Sequence, residues 1–178
     1  MTRLRLILAA TALSLCGQAA LADVAACRAL YAALPETVLG LDHAAQRDFE
    51  SEMPGLGYAS AFAGEGELLT MFLFDLGQSQ ISSELVAEHL VGAIEDMRDA
   101  AEERGFPIGE LTRFPGDDGV FYAIGLIGET GEAGGSTEIL AIGVRDDCIV
   151  KARYTSVGPA SDKQSRFAAL ARAVTESF

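Results

Sequence analysis

Residues 58–75 read YASAFAGEGELLTMFLFD, and this stretch decides the fold. Tyr58–Ala63 and Leu68–Asp75 are strand-like runs flanking Gly64-Glu65-Gly66-Glu67, the composition of a hairpin turn. In the second run both alternate sets are largely apolar: Leu68, Phe72 and Phe74 against Leu69, Met71 and Leu73. A strand apolar on both faces is covered on both, so helices are expected on each side of the sheet.

Outward from the hairpin, Pro54-Gly55-Leu56-Gly57 turns the chain before it, and Leu41–Glu50 reads as an extended segment. Further upstream, Cys27, Leu30, Tyr31 and Leu34 recur at i, i+3, i+4 and i+7, one face of a short helix that Asp23 caps and Pro35 ends. Downstream, Ser82 or Ser83 opens the longest helix, which runs to about Arg104 with Gly105 as its terminator. Its apolar stripe is Val86, Leu90, Ile94, Met97 and Ala101. Strands follow near Val120–Ile127, Thr137–Arg145 and Cys148–Val157, the last two joined by a tight Asp146-Asp147 turn. Gly128–Ser136 is a Gly-rich loop, and a capping box of Ser161 with Gln164 opens a last helix that buries Phe167, Leu170, Ala171, Val174 and Phe178. The expected fold class is α+β: an antiparallel β-sheet of about six strands with helices packed on both faces.

The chain has 178 residues and a net charge of −13, with 49% hydrophobic residues and no Trp. That suits one domain with a full core, and it excludes a nucleic-acid footprint, which needs basic surface. Residues 1–22 read as a signal peptide: two arginines, a largely apolar run Leu6–Leu15, and Ala20-Leu21-Ala22 before Asp23. A run of 10 residues is half of what a bilayer core requires. Leu15 before Cys16 mismatches the small residue that lipid attachment favours. The domain is then 23–178, carrying −15 because the leader removes two arginines and no acid. No membrane span is expected after cleavage, and the product is expected to be periplasmic or secreted. Export leaves Cys27 and Cys148 as an even pair in an oxidising compartment, which points to a disulfide rather than two buried thiols. On the last full strand, Cys148, Val150, Ala152 and Tyr154 share one face, opposite Ile149, Lys151, Arg153 and Thr155.

The element order, with Leu34-Pro35-Glu36, Pro54-Gly55-Leu56-Gly57-Tyr58 and Met71-Phe72-Leu73-Phe74-Asp75-Leu76-Gly77, resembles the PsbP/Mog1-type α/β sandwich and similar uncharacterised secreted bacterial proteins. Members of that group mostly serve as accessory or assembly factors, so the resemblance implies binding more than catalysis. It carries over no functional residue.

The usual catalytic patterns are thin. His43 and His89 lie outside any HxxxH or HExxH spacing, and each reads as a surface or boundary residue. Gly77-Gln78-Ser79-Gln80-Ile81 lacks the closing Gly of a nucleophile elbow and the order of triad partners. Gly128–Gly135 carries Glu129 and Glu132 and no Lys, the wrong charge for a phosphate cradle. Asp117-Asp118 and Asp146-Asp147 lack the alternating spacing of a calcium loop and read as turn residues. No catalytic residue, metal ligand or cofactor is assigned, and the reading leans away from an enzyme.

What remains is electrostatic. Acids crowd the long helix, while Arg145, Lys151, Arg153, Lys163 and Arg166 gather in the C-terminal third. Glu88, Glu95, Asp99 and Glu102 form a candidate docking face for a protein partner with a basic surface, against the plainer reading of a solvated face. The expected function is an exported, non-enzymatic binding or accessory/assembly domain. The alternative is a small periplasmic hydrolase, or a ligand or metal carrier, using a carboxylate-lined cleft.

Overall fold

The computed structural model describes residues 24–103, 112–115, 121–127, 136–157, 169–170 and 172–174. Helix α1 (Val24–Ala32) leads into a first meander of β1 (Thr37–Val38), β2 (Leu41–Asp48), β3 (Tyr58–Gly64) and β4 (Glu67–Phe74). Helix α2 (Ser83–Glu103) then carries the chain to a second meander of β5 (Thr112–Pro115), β6 (Phe121–Ile127), β7 (Ser136–Arg145) and β8 (Cys148–Val157). The two meanders join through β4 and β8, giving one sheet in the order β1-β2-β3-β4-β8-β7-β6-β5 with every pairing antiparallel. Six strands are seven residues or longer, as the sequence suggests. The additional β1 and β5, of two and four residues, are edge strands too short to leave an alternation pattern.

Along residues 68–74 the expected double burial holds fully for one set and in part for the other: Phe74 is buried, Phe72 half-buried and Leu68, near the hairpin, 44% exposed. Leu69, Met71 and Leu73 join Tyr58, Phe62, Cys148, Val150, Ala152 and Tyr154 under α1, together with Leu170 and Val174 from the C-terminal helical residues. Phe74, Leu140, Ile142 and Ile149 pack on the opposite face against Val86, Leu90 and Ile94 of α2. The fold is therefore α+β, with helices against both faces of a curled antiparallel sheet. Burying both faces of β4 and β8 makes them the centre of the sheet, since a strand in that position cannot spare one side for water.

Cys27 and Cys148 are bonded, with their Cα atoms 5.2 Å apart across a sequence separation of 121 residues. The bond ties α1 to β8, and Leu30, Tyr31 and Leu34 pack beside it as their helical spacing implies. Tyr31 stacks on Tyr58 with ring centroids 4.7 Å apart, and Arg28 donates to the Tyr58 hydroxyl at 3.1 Å.

Two glycine-containing segments, 54–58 and 71–77, prove to be one structural unit. Glu50 accepts hydrogen bonds from the backbone N–H groups of Gly55 and Gly57 at 2.9 Å each, which shapes the loop between β2 and β3. Leu76 N–H then donates to the Gly55 carbonyl. A Cβ on Gly57, which has φ +67°, would stand 1.9 Å from the Leu73 carbonyl oxygen. Only glycine allows that approach. Asp146 and Asp147 both adopt positive φ, 50° and 59°, the geometry of a type I′ hairpin turn.

Residues 1–22 as a leader, the Asp23 cap, the Gly105 terminator, Asp117-Asp118, the loop over 128–135, and Ser161, Lys163, Gln164, Arg166, Phe167, Ala171 and Phe178 lie outside the described residues.

Candidate functional site: the α2 side of the sheet

Helix α2 starts where the Ser82 hydroxyl accepts the Leu85 N–H at 3.2 Å, satisfying one of the helix's free donors. Hydrogen bonds in this first turn also hold the Glu84 carboxyl below the usual carboxylate range. At 100° per residue, Val86, Leu90, Ile94 and Met97 fall on one side of the helix, and all four are buried. Glu88, Glu95, Asp99 and Glu102 fall within roughly 60° of one another on the opposite side, and all four are exposed. The row runs along about 21 Å of helix at 1.5 Å per residue. The whole helix carries seven acids and one arginine. None of the four row residues forms an ion pair with another described residue.

A groove of about 340 Å³ opens beside this row, lined by Leu85, Glu88, His89, Gly92, Ala93 and Asp96 of α2 and by Lys151 of β8. Glu88 belongs to both features. The groove exists because α2 packs closely over Phe74, Leu140, Ile142 and Ile149 while one of its flanking positions is Gly92. A Cβ added to Gly92 would meet nothing within 4 Å.

Lys151 is directly opposite Phe72 in the β4–β8 register. Its ammonium lies 4.7 Å from the centroid of the Phe72 ring and 5.6 Å from that of Phe74. Burial holds its pKa below the usual lysine value; Asp96 opposes the shift and Arg153 reinforces it. His89 is half-buried with its ring 4.8 Å from Phe74. Burial first, and the Lys151 charge second, hold its imidazole below 6.5 against the pull of Asp96. The groove thus presents an imidazole whose protonation is disfavoured beside a half-buried cation.

Two residues along β8, Arg153 makes a bidentate pair with Glu138 of β7 through contacts of 2.7–3.0 Å. Glu138 is only 3% exposed, so the guanidinium supplies what this carboxylate gives up in leaving water. Tyr154, on the other face, donates to the Glu67 carboxylate.

No family model, curated protein or solved structure matches this chain.

The sequence-selected residues thus divide. Glu88, Glu95, Asp99 and Glu102 share one exposed helix face. Cys27 and Cys148 sit beneath the opposite face of the sheet and only brace it. His43 is exposed on β2, edge-on to Phe62, and far in the strand order from β8. His89 reads from sequence as a boundary residue, and it is one, but it lines the groove. Lys151, Asp96 and Gly92 were not singled out together by any motif. The available signals were a lysine in a strand whose neighbours are buried and a glycine in the middle of a good helix. Among the described residues no three His, Cys, Asp or Glu side chains come together to hold a metal ion, and no helix is long and apolar enough to cross a membrane.

Proposed function

We propose that the protein is an exported accessory or assembly domain that binds a protein partner with a basic surface through the α2 side of its sheet. The observation that carries this reading is the row Glu88, Glu95, Asp99 and Glu102, exposed on one side of α2 and unneutralised by described neighbours. Such a row steers a cationic surface to one face and leaves a rigid, sheet-backed helix as the platform. The resemblance to the PsbP/Mog1-type sandwich supports an accessory role, and the buried Cys27–Cys148 bond suits an oxidising, periplasmic or secreted setting.

The test is capture from the native exported fraction followed by association kinetics over a salt series. Association with the captured partner is expected to slow steeply once the Debye length falls below ~10 Å, with dissociation changing less. Salt-independent association would exclude the acidic row as the docking element. The groove favours a second reading, a ligand carrier, because Lys151 and His89 place polar groups at its apolar wall.

A further inference from the structure

We infer that the groove between α2 and β8 binds a small organic carboxylate with an apolar body, its carboxylate held by Lys151. This site stands apart from the docking reading, since a ligand there requires no protein partner.

The ammonium of Lys151 has three hydrogen-bond donors. Among the described residues it has no hydrogen-bond acceptor and no ion pair, and its ammonium lies over the faces of Phe72 and Phe74. Aromatic faces attract a cation but offer no lone pair for its N–H groups. Lys151 is half-buried, so its N–H groups are left to whatever solvent or ligand enters the groove. Arg153, two residues away on the same face of β8, shows the contrast: the sheet supplies it with both oxygens of Glu138. The position beside Lys151 is occupied by the groove instead.

Gly92 makes the second argument. A mid-helix glycine costs about 0.5–1 kcal/mol relative to alanine, and no close packing accounts for it, because an added Cβ would meet open space. Gly92 leaves the helix wall of the groove bare beside His89, in space that a larger side chain would enter.

The lining selects the ligand class. Leu85, Ala93 and the Gly92 backbone suit an apolar body. Glu88 and Asp96 at the helix edge repel a dianion such as phosphate and would accept an ammonium, so a zwitterion fits at least as well as a plain monocarboxylate. The volume of about 340 Å³ lies at the small end of ligand sites, which run from roughly 300 to 1,000 Å³.

The experiment is a titration of the purified protein, followed through its backbone amide resonances, with three probes of one skeleton. L-leucine carries both charges, 4-methylpentanoate lacks the amine, and 3-methylbutylamine lacks the carboxylate. Both carboxylates are expected to give saturable shifts at His89, Gly92, Ala93 and Lys151, and the amine none. Lys151→Met should weaken both by about tenfold or more, the scale of one lost charge-assisted hydrogen bond. Gly92→Leu should fill the groove and abolish binding, with the rest of the spectrum intact in both variants. Tighter binding of leucine than of 4-methylpentanoate would show that Glu88 and Asp96 read the ammonium; equal affinities would leave the carboxylate as the determinant, and both results support the site. Absence of saturable shifts with either carboxylate, binding of the amine alone, or undiminished affinity in either variant would overturn it. Partner capture unaffected by these probes would leave the docking reading standing whichever way the titration falls.

Discussion

Replacing Cys27 and Cys148 together by alanine should remove a large part of the protein's stability. The bond closes a loop of 121 residues, and chain entropy alone assigns such a closure about 5 kcal/mol at 25 °C. Both sulfurs are buried, at 1% and 0% exposure, so truncation adds a smaller packing loss. Domains of this size have about 5–15 kcal/mol in total, so the variant should remain folded only marginally. With a urea slope of about 2 kcal/mol/M, the midpoint should fall by roughly 2.5 M or more. Equilibrium urea denaturation of the wild type with and without reductant separates the two contributions, because reduction removes the cross-link and keeps the sulfur atoms. Most of the drop should therefore appear on reduction alone. The bond lies on the α1 side, so the resonances of His89 and Lys151 should be unchanged in the folded variant. A midpoint shift under about 0.5 M would refute the view that the bond, rather than the packing of Leu30, Tyr31 and Leu34, holds α1 to the sheet.

Further outcomes follow from the same geometry. Gly57→Ala should destabilise by more than about 2 kcal/mol, since its Cβ would collide with the Leu73 carbonyl, whereas Gly92→Ala should stabilise by about 0.5–1 kcal/mol; thermal melts of the pair provide the check. His89 is held below 6.5 in the fold, so the unfolded chain takes up the proton first. Its contribution should leave stability unaffected above pH 6.5 and reduce it as the pH falls from 6.5 through the folded value, and His89→Gln should flatten that part of a denaturation–pH profile relative to wild type. Asp147→Gly should raise the melting temperature by relieving a positive φ in the β7–β8 turn, worth about 0.5–1 kcal/mol.

Much of the architecture was legible because it rests on periodicity. The double alternation of Leu68–Phe74 places β4 between two layers, and the parity of Cys148 to Thr155 separates the disulfide face from the face bearing Lys151. The row on α2 follows from helical spacing alone. The groove was not legible for a topological reason. Lys151 meets Phe72 only because β8 inserts beside β4, and it meets His89 only because α2 crosses that face; no local pattern encodes either event. Glu138 and Arg153 likewise pair through the β7–β8 register, which brings an acid in one strand near a base in the next. The close approach of Gly57 to Leu73 was hidden, because the sequence presents Gly57 only as part of the turn over Pro54–Gly57. β1 and β5 are shorter than any period can reveal.

On the proposed function, the α2 face and not the overall negative charge binds the partner. Glu95→Lys with Asp99→Lys alters that face at exposed positions. Glu36→Lys with Glu65→Lys, also exposed, changes the net charge equally elsewhere. Capture from the native exported fraction should recover the same partner with the wild type and the control variant, and lose it with the Glu95 and Asp99 variant. Retention of the partner by that variant, or equal loss in both, would contradict docking through the α2 face.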